Sequence, residues 1–186
     1  MRAPNSKMSG VTSSRINLVA IGDVDAQLLD YLVLTLPEAF NAECVQLPAE
    51  MNFQKAYNPA RRQYHSTGLL ASLYELPRAA GAKVLGITEL DLFIPIFTFV
   101  FGEAQVGGSV ALISTHRLHD EFYGLPGDGP LLLTRAEKEA IHELGHASGL
   151  GHCREYDCVM RFSNSVEEVD LKTCKFCQLC RNRIAA

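Results

Sequence analysis

The chain lacks an excess of positive charge. Its 186 residues contain 17 Lys and Arg against 21 Asp and Glu, which gives a formal net charge of −4. A chain with this balance has no general attraction for phosphate backbones or anionic lipids, because those partners are themselves negatively charged. We therefore expect neither a nucleic acid nor a membrane as a partner.

The sequence also lacks a long apolar run. The longest one, residues 92–101, is too short to span a bilayer and contains Pro95. The first fourteen residues contain no apolar stretch long enough for the core of a signal peptide. We therefore expect a cytoplasmic protein. Clustered cysteines in such a protein bind a metal more often than they form disulfides.

Strand and helix patterns alternate along the first part of the chain. Residues 16–21 form a nearly continuous apolar run, which is typical of a strand buried on both faces of a parallel sheet. Leucines at helical spacing then predict a helix that Asp23 or Asp25 can cap and that ends at Pro37. Residues 43–47 predict the next strand. This alternation indicates an α/β domain in which helices cover a mixed, twisted sheet.

The pattern continues with one more helix and then changes. Leucines at helical spacing predict a helix over residues 66–80 that ends at Gly81, and residues 83–87 predict a strand. Residues 97–101 and 110–114 predict two further strands, separated by glycines. We expect one of these two strands to form an edge of the sheet.

We expect a single domain of two lobes, since 47% apolar and 20% charged residues are typical of one globular domain. Residues 1–14 are expected to be disordered, residues 15–149 to form an upper lobe, and residues 150–186 to form a lower lobe. The lower lobe is too short to build a core of its own without a staple. Basic side chains near the end of the chain, Lys172 among them, are expected to be solvated.

The most informative segment contains three histidines. His142 and His146 lie four residues apart on a predicted helix that begins at Thr134, where Glu137 completes a capping box. Side chains at this spacing share one helix face, so the two imidazoles can meet one ion. His152 can reach the same ion only if the chain turns sharply after the helix.

Gly149 lies where that turn is needed, and glycine tolerates the positive φ of a sharp helix exit. Three neutral imidazoles with one open position describe a catalytic zinc site, at which a bound water is acidified. Glu143 directly follows the first histidine and is placed to act as general base and acid. A bare His-Glu-x-x-His pattern also occurs by chance, but the added glycine and third histidine favour zinc.

Five of the six cysteines lie between residues 153 and 180. Four thiolates for a closed tetrahedral zinc site can come from two pairs, Cys153 with Cys158 and Cys177 with Cys180. Cys174 and Cys177 also form a Cys-x-x-Cys, so the sequence permits another choice of ligands, a redox pair or disulfides. Structural zinc is the favoured interpretation.

These residues resemble a known family. The pattern His142-Glu143-x-x-His146-x-x-Gly149-x-x-His152, followed by Met160, is similar to that of the metzincin zinc peptidases, whose methionine turn lies beneath the metal. The cysteines that follow resemble those of the archaemetzincin (archaelysin) branch, known for a second zinc site of four cysteines. Other similar segments are residues 62–64, 100–104 and 162–165, so the resemblance covers most of the chain from Ile16 onward.

The resemblance implies a metzincin-like fold with an active-site helix and a small zinc-stapled C-terminal lobe. It implies a zinc metallopeptidase with two zinc ions per chain, one catalytic and one structural. The implied catalytic site has Glu143 as the base and three ligands, His142, His146 and His152. The implied structural site has four ligands, Cys153, Cys158, Cys177 and Cys180.

Three details complete this expectation. Cys174 is left as the spare cysteine, and Met160 forms the methionine turn. Phe162 stands where some metzincins place a tyrosine near the metal, so a mechanism that uses that tyrosine is not expected here. We expect a peptide or protein substrate and a monomer. The alternatives are another zinc hydrolase, such as an amidase, and a non-catalytic binding module stabilised by zinc.

Overall fold

The computed structural model describes residues 14–184. The strands and α-helices in chain order are β1 (Ser14–Ile21), α1 (Ala26–Phe40), β2 (Ala42–Gln46), β3 (Tyr57–Asn58), β4 (Gln63–His65), α2 (Ser66–Tyr74), β5 (Lys83–Thr88), β6 (Leu92–Phe93), β7 (Gly102–Ala104), β8 (Val110–Ser114), α3 (Gly129–Ala147), α4 (Val166–Leu171) and α5 (Gln178–Ile184). The expected disorder of residues 1–14 lies outside the described residues except for Ser14, which begins β1.

Five strands form a mixed sheet in the order β2-β1-β5-β8-β7. The first four of these strands run parallel, and β7 pairs antiparallel with β8. The short strands β3, β4 and β6 form a second sheet. This architecture confirms the predicted α/β class and the mixed sheet. It also places β7 at a sheet edge, beside the helix α3.

The parallel strands are buried on both faces. Neighbouring residues of β1 point to opposite sides, so Leu18 joins the core cluster of α1 and α3 while Val19 joins the cluster of α2. Both side chains are fully buried. Burying one such side chain contributes about 1.5–3 kcal/mol, which explains why the sequence of β1 is almost continuously apolar.

Helix α1 begins where the sequence predicts and ends later. Of the two candidate caps, Asp25 is the one used, and its carboxylate accepts a hydrogen bond of 2.9 Å from the backbone N–H of Gln27. The predicted end at Pro37 is wrong, because α1 continues to Phe40. Pro37 lacks an N–H group, but its carbonyl still accepts the N–H of Asn41, which closes the helix in a left-handed conformation.

Helix α2 is shorter than predicted. It ends at Tyr74 rather than at residue 80. Pro77 disfavours the helical conformation of Leu76, the residue before it, so the leucine periodicity does not extend the helix to Gly81. The residues between α2 and β5 form turns and irregular structure instead.

The predicted strand over residues 97–101 is wrong. This segment is a loop, and the edge strand is β7, directly after it. The guanidinium of Arg61 donates hydrogen bonds of 2.8 and 3.0 Å to the carbonyls of Phe97 and Thr98. These carbonyls are therefore occupied by a side chain rather than by a neighbouring strand.

Helix α3 begins earlier than predicted. Asp128 caps it by accepting a hydrogen bond of 2.9 Å from the N–H of Leu131, and Pro130 lies in the first turn, where its missing N–H is harmless. Thr134 therefore lies inside the helix, where its hydroxyl donates to the carbonyl of Pro130. The capping-box spacing of Thr134 and Glu137 indicated the helix but not its start.

The segment after α3 packs against that helix. Four of its buried side chains, Leu150, Val159, Met160 and Phe176, belong to the same core cluster as the apolar face of α3. Within residues 14–184, no helix is both long and apolar enough to cross a membrane.

The cap of α1 gives a direct test of the fold. Asp25→Ala removes the acceptor for the Gln27 N–H, and we expect the free energy of unfolding to fall by about 0.5–2 kcal/mol in urea denaturation. Asp23→Ala is the matched control, because Asp23 is exposed and lies before the cap. The control should change stability by less than about 0.5 kcal/mol. Equal losses in the two variants would contradict this assignment.

Candidate active site

Three histidines converge at the end of α3. The ring centroids of His142, His146 and His152 lie 4.6 to 5.3 Å apart, and one ring nitrogen from each lies within 4.8 Å of the others. The Nε2 atoms of His142 and His146 are 3.1 Å apart. This spacing is close to the ~3.3 Å expected between two nitrogen ligands of a tetrahedral zinc ion.

The chain turns at Gly149 as the spacing requires. Helix α3 ends at Ala147, and Gly149 adopts a φ of 91°. Its N–H donates to the carbonyl of His146, and the N–H of Leu150 donates to the carbonyl of Gly145. These bonds close the helix and direct His152 back toward the other two imidazoles.

Backbone carbonyls orient two of the imidazoles. The Nδ1 of His142 lies 2.8 Å from the carbonyl of Val159, and the Nδ1 of His146 lies 2.8 Å from the carbonyl of Leu150. In this arrangement Nδ1 carries the proton and donates it, which leaves Nε2 free to bind a metal. Burial lowers the pKa of all three histidines, and that of His142 most strongly. The site therefore favours neutral imidazoles.

Glu143 lies beside the histidines in a tight space. Burial raises the pKa of Glu143 well above its ordinary value, and the nearby Glu139 carboxylate raises it further. A Cβ atom at Gly102 of β7 would lie only 2.6 Å from Cγ of Glu143 and 2.7 Å from the carbonyl oxygen of Leu112. The edge strand can approach Glu143 this closely only because residue 102 is glycine.

Gly102 was not predicted as a site residue. A glycine next to a strand pattern signals a close backbone approach, so a signal was present. The partner of that approach lies 41 residues later in the chain, and only the fold identifies it as Glu143.

Met160 lies directly against α3. Its side chain is fully buried, and a Cβ atom at Gly145 would overlap its sulfur. The carbonyl of Met160 accepts a hydrogen bond of 2.9 Å from the N–H of Cys153, the residue after His152. Met160 therefore connects the helix that carries two of the histidines with the segment that carries the third.

A cavity of about 370 Å³ opens beside the histidines and Glu143. Its walls are largely apolar and include Ile94, Phe97, Phe99 and Phe162. The Phe162 ring lies 4.9 Å from the His152 ring, between centroids. Phe162, which stands where some metzincins place a tyrosine, therefore covers His152 but offers no hydroxyl group.

The cavity also contains an ion pair that the sequence analysis missed. Glu139 lies one turn before Glu143 on α3, and its carboxylate pairs with the ammonium of Lys172. The expectation that Lys172 is solvated is wrong, because its side chain is 1% exposed. No motif marks this lysine, whose burial depends on the packing of α4 against α3.

The four cysteines predicted as zinc ligands also converge. The sulfurs of Cys153, Cys158, Cys177 and Cys180 lie within 4.8 Å of one another, and two of the pairs are 3.8 Å apart. Zinc–sulfur bonds of about 2.3 Å in a tetrahedron require this spacing. A disulfide requires about 2.05 Å, and all six cysteines of the chain are free thiols.

The thiols differ in their readiness to ionise. The backbone N–H of Cys180 and neighbouring thiols lower the pKa of Cys177 to about 7. Burial and the charge of Glu137 raise the pKa of Cys174 to about 12. Cys174 lies outside the sulfur cluster, and its raised pKa favours the protonated thiol.

The comparisons with known proteins agree in naming one kind of enzyme. A model of Peptidase family M54 matches residues 37–186. An archaemetzincin of Methanocaldococcus jannaschii is 44% identical over 170 residues, covering 91% of this chain and 92% of the relative.

Two solved structures resemble the fold over almost its whole length. Archaemetzincin from Archaeoglobus fulgidus, complexed with malonate, has a TM-score of 0.78 and 41% identity, covering 91% of this chain and 99% of that chain. A zinc-dependent peptidase from Methanocorpusculum labreanum has a TM-score of 0.82 and 30% identity, with the same two coverages. The region matched by the family model, residues 37–186, contains both the histidine cluster and the cysteine cluster.

The contact between α3 and Met160 predicts an unusual sign for a helix substitution. Alanine normally stabilises a helix interior over glycine by roughly 1 kcal/mol. Gly145→Ala should instead lower the free energy of unfolding by about 1–3 kcal/mol, because the new Cβ overlaps the Met160 sulfur and crowds the Phe176 ring. Chemical denaturation measures the change.

The matched control is Gly129→Ala in the first turn of α3, where a Cβ atom would meet no atom of residues 14–184 within 4 Å. We expect this variant to be as stable as the native protein or slightly more stable. A Gly145→Ala variant with native or higher stability would show that the helix and the methionine are not in close contact.

Proposed function

The chain belongs to peptidase family M54, the archaemetzincins, which are zinc metallopeptidases, and we propose that it hydrolyses peptide bonds with a catalytic zinc ion held by His142, His146 and His152. The observation that carries the proposal is the convergence of three ring nitrogens within 4.8 Å beside a buried glutamate. The family implies peptide or protein substrates. This favours peptide hydrolysis over both alternatives, an amidase and a non-catalytic zinc module.

The donor set fits zinc, because imidazole nitrogens are preferred zinc ligands and three of them leave an open position. Zinc bound there would acidify a water molecule and polarise the scissile carbonyl. Glu143 is not needed as a ligand, so its carboxylate accepts the proton of the attacking water and passes it to the leaving amine. The close approach of Gly102 holds the Glu143 side chain at the cavity.

We propose that the substrate binds along the edge strand β7. Among the strands of residues 14–184, this strand pairs with β8 alone, and its residues Gly102–Ala104 line the cavity. An extended peptide can pair with the free backbone groups of such an edge and gains affinity with little demand on its sequence. Selectivity then depends on the side chains of the cavity.

We propose a second, structural zinc ion in the cysteine cluster, which makes two zinc ions per chain. The 3.8 Å sulfur separations support a closed four-thiolate site. Cys153 directly follows His152, and its N–H is bound to the Met160 carbonyl. The cluster would therefore stabilise residues 150–186 as a lower lobe and support the catalytic site from below.

The proposed roles of Glu143 and His146 are tested separately. Glu143→Ala should reduce hydrolysis by at least about 10²-fold with zinc content unchanged, because the residue transfers protons and donates no ligand. His146→Ala should lose the catalytic zinc as well as activity. The assays are digestion of an unbiased peptide library, followed by mass spectrometry, and metal analysis of the same samples.

Near-native turnover by Glu143→Ala would exclude the glutamate as the base. A His146→Ala variant that keeps zinc in the histidine site would show that the ligand set is wrong. Absence of hydrolysis by the native, zinc-loaded protein would contradict the proposed reaction itself.

The second zinc is tested with two cysteine variants. Cys177→Ser should reduce the zinc content from two ions to one and increase hydrogen exchange over residues 150–184, because zinc binding contributes to the folding of this segment. Cys174→Ser is the matched control, since its thiol lies outside the cluster, and it should do neither. Zinc loss in Cys174→Ser but not in Cys177→Ser would refute the assignment.

A further inference from the structure

We propose that Lys172 and Glu139 form a polar floor of the substrate cavity that selects a carboxamide side chain, that of Gln or Asn, beside the scissile bond. The inference rests on the proposed peptidase function and adds a substrate class to it. Both residues line the cavity that contains His142 and Glu143.

The pair is buried and close to the reaction centre. The ammonium of Lys172 lies 2.9 Å from Oε1 of Glu139, and the two side chains are only 1% and 5% exposed. Glu139 lies four residues before Glu143, so the two carboxylates project from the same face of α3. A substrate side chain that enters the cavity therefore meets a charged pair that water does not screen.

The hydrogen bonding of the pair is incomplete. Oε1 of Glu139 is buried and has no hydrogen-bond partner among the described residues, although the Lys172 ammonium lies 2.9 Å away as an ion-pair partner. Within residues 14–184 the ammonium contacts this carboxylate and donates to the carbonyl of Arg161 at 3.3 Å. An ammonium has three donors, so at least one N–H remains for a ligand after the bond to Arg161 and the close contact with Glu139. The floor therefore offers an acceptor and at least one donor.

A carboxamide satisfies both groups. Its NH₂ donates to Glu139, and its carbonyl accepts from Lys172. A carboxylate would face the charge of Glu139, an ammonium would face the charge of Lys172, and an aliphatic side chain would leave the buried acceptor unpaired. A site with buried polar groups rejects analogues that leave those groups unpaired. The aromatic walls, Phe97 among them, suit the methylene stem of the same side chain.

Two further contacts fix the floor in place. Arg135 on α3 forms hydrogen bonds of 2.8 and 2.7 Å to the carboxylate of Asp170, two residues before Lys172. Lys138 donates to the carbonyls of Val169 and Asp170 at 3.1 Å each. The segment that carries Lys172 is therefore bound to the active-site helix. A preorganised pair discriminates between ligands better than one that can move away.

The test measures binding without turnover. Four peptide hydroxamates, identical except for a Gln, Glu, Lys or Leu side chain beside the hydroxamate, are titrated into the zinc-loaded protein by calorimetry. The hydroxamate binds the catalytic zinc in every case, so differences report the side chain. We expect the Gln compound to bind at least about tenfold more tightly than the others. Equal affinities, or tightest binding by Leu, Glu or Lys, would overturn the proposal.

Two double variants test the role of the pair itself. Glu139→Leu with Lys172→Met removes both charges together, so no buried charge is left unpaired. This variant should lose the Gln preference and bind the Leu compound most tightly. Glu139→Lys with Lys172→Glu keeps a donor and an acceptor and should retain the preference for Gln, because a carboxamide can reverse its orientation.

An unchanged selectivity in the apolar double variant would refute the role of the pair. Thermal unfolding and zinc content show whether each variant is folded. If a variant is unfolded, the affinities of the four hydroxamates for the native protein decide whether the cavity selects a carboxamide. Gln-selective hydroxamate binding without any hydrolysis of the peptide library would contradict the proposed reaction while supporting the carboxamide floor. The two proposals therefore fail by different results.

Discussion

The sharp exit of helix α3 at Gly149 is the constraint on which the rest of the site depends. A helix that continued would carry His152 about 9 Å further along its axis. The positive φ of Gly149 returns the chain instead, so that His152 faces His142 and His146. The next residue, Cys153, belongs to the sulfur cluster. One backbone turn therefore places ligands for both proposed zinc ions.

Helix α3 can occupy its position because two glycines permit close contact. Gly145 allows the Met160 side chain to lie against the helix, and Gly102 allows the edge strand to approach Glu143. Met160 follows α3 in the chain and Gly102 precedes it, so the two contacts come from two different segments packed against the helix. Helix α3 is thus confined between Met160 and the edge strand β7, which limits the movement of its histidine and glutamate side chains.

Features that depend on local sequence were predictable. The buried strand β1 has a continuous apolar pattern, and the histidine and cysteine spacings identified both clusters that the structure brings together. Features that depend on distant partners were not. The sequence pattern of residues 97–101 is that of a strand, but Arg61 binds two carbonyls of this segment, which is a loop. The sequence around Lys172 predicts a surface lysine, but the packing of α4 against α3 buries its side chain. Sequence patterns do not contain these partners.

The charges around the cavity link the zinc site to the substrate. Three carboxylates, Glu103, Glu139 and Glu143, line it together with Lys172, so the formal charge of these side chains in their ionised forms is −2. The histidines favour the neutral form, and a divalent zinc ion would therefore offset the remainder. A charged substrate side chain buried in this cavity would have no partner of opposite charge, and its desolvation would cost free energy. The charge balance that suits zinc thus also favours a neutral substrate side chain, and the polar floor requires that this neutral side chain carry both a donor and an acceptor.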